Sequence, residues 1–108
     1  MQSLFYMSYS ILVLSPSLEK IESWFVLQKH RVAPFRVFFY KDGVYQTKHH
    51  RFWENVKHHW PTTELIFCTA ALERRSLSIE NDSSLFSLGG LGLLAECLIE
   101  SDEIIEIE

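Results

Sequence analysis

The residue best placed to do chemistry in this chain is Cys68, within Leu-Ile-Phe-Cys-Thr-Ala-Ala-Leu-Glu-Arg-Arg at positions 65–75. Leu65, Ile66 and Phe67 form an apolar run that reads as a buried strand. Thr69 to Arg75 are mostly helix formers, so the pattern changes period at Cys68. The thiol is therefore expected where a strand stops and a helical turn starts. In an open α/β sheet the carboxyl ends of the strands are where ligands bind. Backbone N–H groups at a helix start favour a thiolate over a thiol, and the thiolate is the nucleophile. Arg74 and Arg75 follow closely, and an arginine beside a thiolate stabilises it. The same position also suits an inert core cysteine, since free cysteines are among the most buried residue types.

Two other groups invite a chemical reading. His49, His50, His58 and His59 crowd a polar stretch from Gln46 to Trp60. Adjacent histidines point in different directions on a helix. His50, Glu54 and His58 would share a face if the helix began early enough, but that spacing matches no standard zinc signature and no cysteine joins it. A solvated, mildly basic face is the simpler reading. Gly89, Gly90 and Gly92 suggest a phosphate loop, yet no Lys-Ser/Thr follows and the dinucleotide spacing is absent. These glycines are better read as letting a helix start tightly against a neighbouring backbone.

The remaining composition narrows the class. At 108 residues the chain fits one domain, residues 1–108. A hydrophobic share of 47% with 14% aromatic residues supplies a core. A net charge of −4 argues against a broad electrostatic grip on nucleic acid. Cys68 and Cys97 are too few for a disulfide framework and fit no zinc motif, which suits free thiols in a reducing cytoplasm. Cys97 reads as structural. The apolar run Ile11 to Leu14 is short and lacks a basic lead, so neither a signal peptide nor a membrane span is expected.

The elements that must position Cys68 follow in order. Met7 to Leu14 reads as a strand buried on both faces, ended by Ser15-Pro16-Ser17. Ser17 suits an N-cap, and Leu18 to Lys29 an amphipathic helix whose aromatic residues belong to the core. Val32 to Tyr40 is a second strand with Pro34 near its start. Lys41-Asp42-Gly43 follows as a turn, with Gly43 the natural site of a positive φ. A short helix is expected over Arg51 to His59, with Phe52, Trp53, Val56 and Trp60 on one side, ending before Pro61. After the Cys68 strand comes a polar loop with Glu80 to Ser84 at its centre. A helix follows, with Leu91, Leu94, Ala95 and Leu98 as its apolar face. A last strand over Ile104 to Ile107 ends the chain. Alternation of this kind predicts a small three-layer α/β domain, with a mainly parallel sheet of about four or five strands between helices.

Three blocks resemble the DsrE/TusD sulfur-relay family. Val37-Phe-Phe-Tyr-Lys-Asp-Gly-Val-Tyr45 is similar to its strand-and-turn block. Ile66-Phe-Cys-Thr-Ala-Ala-Leu-Glu-Arg-Arg75 is similar to the block carrying its persulfide cysteine. Phe86 to Glu96, followed by Ser101-Asp-Glu-Ile-Ile105, is similar to its C-terminal helix and strand. Order and spacing agree from about Phe35 onward. The resemblance implies a DsrE-like fold and a sulfurtransferase whose cysteine, here Cys68, accepts sulfane sulfur as a persulfide and passes it on. In the TusD branch that sulfur ends in 2-thiouridine of tRNA; in the DsrE branch it belongs to sulfur oxidation. Partners implied are donor and acceptor proteins and related DsrE-like subunits in a hetero-oligomer, with a homo-oligomer as the other form. The N-terminal part departs from the pattern. Ser15-Pro16-Ser17 and a short, tryptophan-bearing helix replace a glycine-containing loop and a longer helix, and the segment from Tyr45 to Leu65 is short and histidine-rich.

Persulfide transfer is thiolate attack on sulfur. It calls for no metal, nucleotide or other cofactor, no membrane and no direct nucleic-acid contact. Two other readings compete. One is a non-catalytic structural member of a DsrE-like assembly, in which Cys68 is buried. The other is a small-ligand-binding α/β domain using the Gly89 to Gly92 turn. Self-association is expected because so short a chain buries a modest fraction of its surface. The aromatic segment Phe52 to Trp60 offers a surface for a partner.

Overall fold

The computed structural model describes residues 8–28, 31–79 and 85–108. The loop expected over Glu80 to Ser84, the start of the first strand at Met7 and the helix end at Lys29 lie outside the described residues. The chain builds β1 (Tyr9–Val13), α1 (Leu18–Leu27), β2 (Arg36–Phe39), a 3-10 segment (Lys41–His49) and α2 (His50–His59). It continues with β3 (Glu64–Cys68), α3 (Thr69–Arg74), β4 (Ser87–Gly89), α4 (Leu91–Glu100) and β5 (Glu103–Ile107). The five strands form one sheet in the order β4-β3-β2-β1-β5, and every pairing is parallel. The three-layer α/β architecture expected from the alternation is present, and the five strands lie within the four or five expected; β4 is the one not singled out as a strand. Ser87–Gly89 is too short for a period of two to show.

Which helix covers which face follows from strand alternation. Val37 and Phe39 lie level with Leu65 and Phe67. Phe39 stacks on Phe67 with ring centroids 4.3 Å apart and meets Trp53 of α2 edge-on at 4.7 Å. Phe25 of α1 joins the same cluster through Phe52, Trp53 and Trp60. This face, under α1 and α2, holds the aromatic core. The opposite face carries Arg36, Phe38, Ile66 and Cys68, and among the described residues α4 is the helix that covers it. Right-handed crossovers produce this division: three connections step one way along the sheet, and the return from β4 to β5 steps the other.

Local chemistry explains the element boundaries. The Ser17 hydroxyl accepts the Lys20 N–H at 3.3 Å and caps α1, as its position suggested. The strand expected over Val32 to Tyr40 shrinks to Arg36–Phe39, because Pro34 donates no hydrogen bond and Val32 and Phe35 stay exposed. Trp53, Val56 and Trp60 are buried inside this chain, so most of the surface expected to meet a partner is spent on its own core.

The turn after β2 corrects one expectation. Gly43 has no positive φ; Lys41 takes that conformation instead, with φ 51°. Gly43 is needed for a different reason. A Cβ there would lie 1.9 Å from the Val13 carbonyl oxygen. That carbonyl also accepts the Tyr40 N–H at 3.0 Å, so the 3-10 segment is pressed against the end of β1. Gln46, polar yet fully buried, fastens the same segment. Its amide donates to the Ser15 carbonyl at 3.1 Å and accepts from Trp53 Nε1 at 3.1 Å. A buried amide with both ends satisfied costs little, and losing either partner costs much more.

At the amino end of the sheet, the Tyr9 hydroxyl donates to the Val32 carbonyl at 2.5 Å. Burial pushes its pKa from 10.0 up to about 12; nearby Arg31 opposes the rise and Glu103 adds to it.

Two outcomes follow. Gly43→Ala forces backbone apart from backbone and is expected to destabilise the fold by about 3 kcal/mol or more, read from urea denaturation midpoints. Tyr9 is favoured neutral in the folded chain, so its contribution is fully present below pH 10 and is lost as pH rises from 10 towards 12. Denaturation titrations across that window should show wild type losing stability more steeply than Tyr9→Phe; equal slopes would contradict the assignment.

Candidate functional site

Cys68 is the last residue of β3 and the N-cap of α3, with φ −69° and ψ 118°. The junction read from the change of period is therefore where the structure puts it. The next residue fastens the junction to the neighbouring strand: Thr69 Oγ1 donates to the Gly89 carbonyl at 3.4 Å, and Cys68 itself lies level with Gly89. Alternation directs the Cys68 side chain to the α4 face, beside Ile66. On that face Ile66 and Leu93 close over Gly89, where an added Cβ would stand 3.0 Å from Ile66 Cγ2 and 2.6 Å from Leu93 Cδ2. Gly89 is crowded by side chains, not by the neighbouring backbone that the glycines were expected to let a helix start against, and Gly90 and Gly92 face open space.

The surroundings of Cys68 are apolar. Its exposure is 0%. α3 has only six residues, so its dipole is a small one. Arg75, one of the cations expected beside the thiol, is engaged elsewhere. Its Nε and Nη2 reach Asp42 Oδ1 at 3.0 and 2.9 Å, and its Nη1 donates to the Ala71 carbonyl at 3.1 Å. These bonds tie α3 to the 3-10 segment across the carboxyl end of the sheet. Arg74 is exposed to solvent.

The cysteine that a cation does reach is Cys97, in α4. Arg36 Nη1 lies 3.5 Å from its Sγ, while Arg36 Nε pairs with Glu64 at 3.0 Å and Nη1 stands 3.9 Å from Glu100. Burial works against the Arg36 charge, but its hydrogen bonds to Cys97 and Glu64 outweigh that and raise its pKa above the ordinary value. This cluster sits at the amino end of β2, at the opposite end of the sheet from Cys68. Both cysteines are free and buried. Sequence offered no signal for the Arg36–Cys97 contact, whose members are 61 residues apart.

The histidine-rich stretch resolves into a surface. His50 Nδ1 pairs with Glu54 at 3.4 Å on the first turn of α2, and no cluster of three metal-ligating side chains occurs among the described residues. On the other side of α2, Phe25, Phe52, Asn55, Val56, His59 and Trp60 line a hollow of about 320 Å³. It lies on the α1–α2 side of the sheet, away from the face that Cys68 addresses.

Fold and junction together define a small, all-parallel α/β domain with a cysteine at the carboxyl end of an inner strand. No family model and no curated protein matches the sequence. Among solved structures, the YchN protein of E. coli shares the fold, with a TM-score of 0.63 and 15% identity over 93% of this chain and 99% of that one. No helix among the described residues is long and apolar enough to cross a membrane.

Proposed function

We propose that this chain is a sulfur-transfer subunit of the DsrE/TusD type, with Cys68 as the carrier thiol. The observation that carries the reading is the place of Cys68, at a strand-to-helix junction on the carboxyl edge of a parallel sheet, beside the short strand β4. The blocks that resemble the sulfur-relay family supply most of β2 and β3, together with α3, β4 and the first part of α4, around that junction. In the proposed step the Cys68 thiolate attacks the outer sulfur of a donor persulfide. A sulfur–sulfur bond forms on Cys68, the donor's sulfur–sulfur bond breaks, and the donor cysteine leaves as a thiolate. An acceptor thiolate then attacks the outer sulfur, and Cys68 is the leaving group. No net oxidation occurs. The partners are a donor protein, an acceptor protein and related subunits, with the sulfur destined, on the TusD likeness, for 2-thiouridine of tRNA. Because Cys68 is wholly buried, transfer on this reading requires a local opening that brings the thiol to its donor.

The same burial favours a second reading, in which the chain is a structural member of such an assembly and Cys68 only fills the core. Intact-mass spectrometry after incubation with a persulfide donor separates the two. The sulfur-transfer reading expects a gain of one sulfur in the wild type and in Cys97→Ser, and none in Cys68→Ala. Unmodified wild type, or a gain that persists in Cys68→Ala, would leave the structural reading standing.

A further inference from the structure

The hollow beside α2 has the make-up of a small-molecule pocket. α2 supplies Phe52, Asn55, Val56, His59 and, just past its end, Trp60, which recur at i, i+3, i+4, i+7 and i+8 and so share one side of the helix. α1 supplies Phe25. The volume of about 320 Å³ lies at the lower end of the range for ligand sites, about 300 to 1,000 Å³. Phe25 meets Phe52 with ring centroids 5.7 Å apart and Trp60 at 5.3 Å, the planes inclined by 64° and 46°. The His59 ring lies 5.7 Å from that of Trp60, inclined by 47°. None of these pairs is stacked, and tilted rings of this kind accept a further ring edge-on or offset.

Three polar groups on the lining are unspent. The indole N–H of Trp53 is taken by Gln46, whereas that of Trp60 makes no hydrogen bond among the described residues. Trp60 is only 7% exposed, and among the described residues no fully buried side-chain nitrogen or oxygen lacks a partner. Its small exposed edge therefore includes the N–H. Asn55 and His59, one helical turn apart and exposed, also make no side-chain hydrogen bond among the described residues. Charge limits what these groups can hold. Phe25, His59 and Trp60 stand in or just after the last turns of α1 and α2, where free carbonyl groups disfavour an anion. Lys57, His58 and His59 in the last turn of α2 disfavour a cation.

We infer that this hollow binds an uncharged, planar aromatic molecule of one or two rings that carries a carbonyl or ring-nitrogen acceptor at its edge. The ring packs among Phe25, Phe52, Val56 and Trp60, where each contact between rings adds to binding beyond the area it buries. An indole N–H only donates, so the ligand must bring an acceptor to Trp60. Asn55 and His59 each donate and accept, and they supply the remaining polar contacts. An aliphatic ligand of the same size would forgo the ring contacts, and one without an acceptor would leave the Trp60 N–H cut off from water and unpaired. The site lies on the face of the sheet away from Cys68 and does not depend on the sulfur-transfer reading.

Nitrogen–proton correlation NMR of the isotope-labelled full chain tests it, with acetophenone as the probe. Ethylbenzene keeps the ring and loses the acceptor; cyclohexyl methyl ketone keeps the acceptor and loses the aromatic ring. Benzoate and benzylammonium add a charge of either sign. Acetophenone should shift the Trp60 indole N–H and the amides from Asn55 to Trp60 saturably. The other four probes should bind more weakly by about fivefold or more, the worth of one neutral hydrogen bond or ring contact. Asn55→Phe, which fills the hollow from an exposed position, and His59→Leu should each weaken acetophenone by a similar factor without changing the circular dichroism spectrum. No saturable shift with acetophenone would overturn the proposal. So would equal affinity for all five probes, saturation with the Trp60 indole unmoved, or binding indifferent to both variants.

Discussion

A parallel sheet has to be covered on both faces, and in this protein the covering is unequal. On one side α1, α2 and the 3-10 segment enclose Val37, Phe39, Leu65 and Phe67 in a cluster of interlocking rings. On the other, among the described residues, one ten-residue helix stands on the face that carries Phe38, Ile66 and Cys68. The dense side fixes the geometry. Val13, Gly43 and Gln46 lock the 3-10 segment to the end of β1, and Arg75 then anchors α3 to that segment through Asp42. The strand-to-helix junction at Cys68 is held from that side, while its thiol faces the thinly covered one.

That division bears on what a buried thiol can do. Cys68 lies in an apolar setting with its neighbouring arginine engaged by Asp42 and a backbone carbonyl. A resting thiol so enclosed is protected from adventitious oxidation, and any reaction of it depends on how readily its cover moves. Cover on the α4 side rests on a few apolar contacts, among them Leu93 over Gly89. Elements with few buried contacts open at lower cost than the core around them. The Arg36–Cys97 contact, in contrast, is built at the far end of the sheet with two carboxylates around it, and ties α4 to β2.

Much of the architecture was legible because it rests on local signals. The apolar runs of β1, β2 and β3, the Ser17 cap and the spacing of Trp53, Val56 and Trp60 each point to one structure. The change of period at Cys68 located the junction to the residue. What could not be read depends on distant pieces of chain. Gly43 was legible as a turn glycine but not as the residue that lets the segment touch Val13. Gln46 looked like part of a polar stretch, and only the meeting of Ser15 with Trp53 makes its burial possible. β4 is too short to carry a period. The apolar face of α4 was visible as a pattern, but a pattern does not say whether it meets the chain's own sheet or something beyond it.

The central claim is that Cys68 is a carrier thiol that local motion exposes. The most direct measurement is the alkylation rate of Cys68 in the native protein across low denaturant concentrations, compared with the free energy of global unfolding. A carrier thiol should react through an opening much cheaper than global unfolding, at a rate nearly independent of denaturant. Reaction only through global unfolding, with the full denaturant dependence of that process, would contradict the account and leave Cys68 as part of the core.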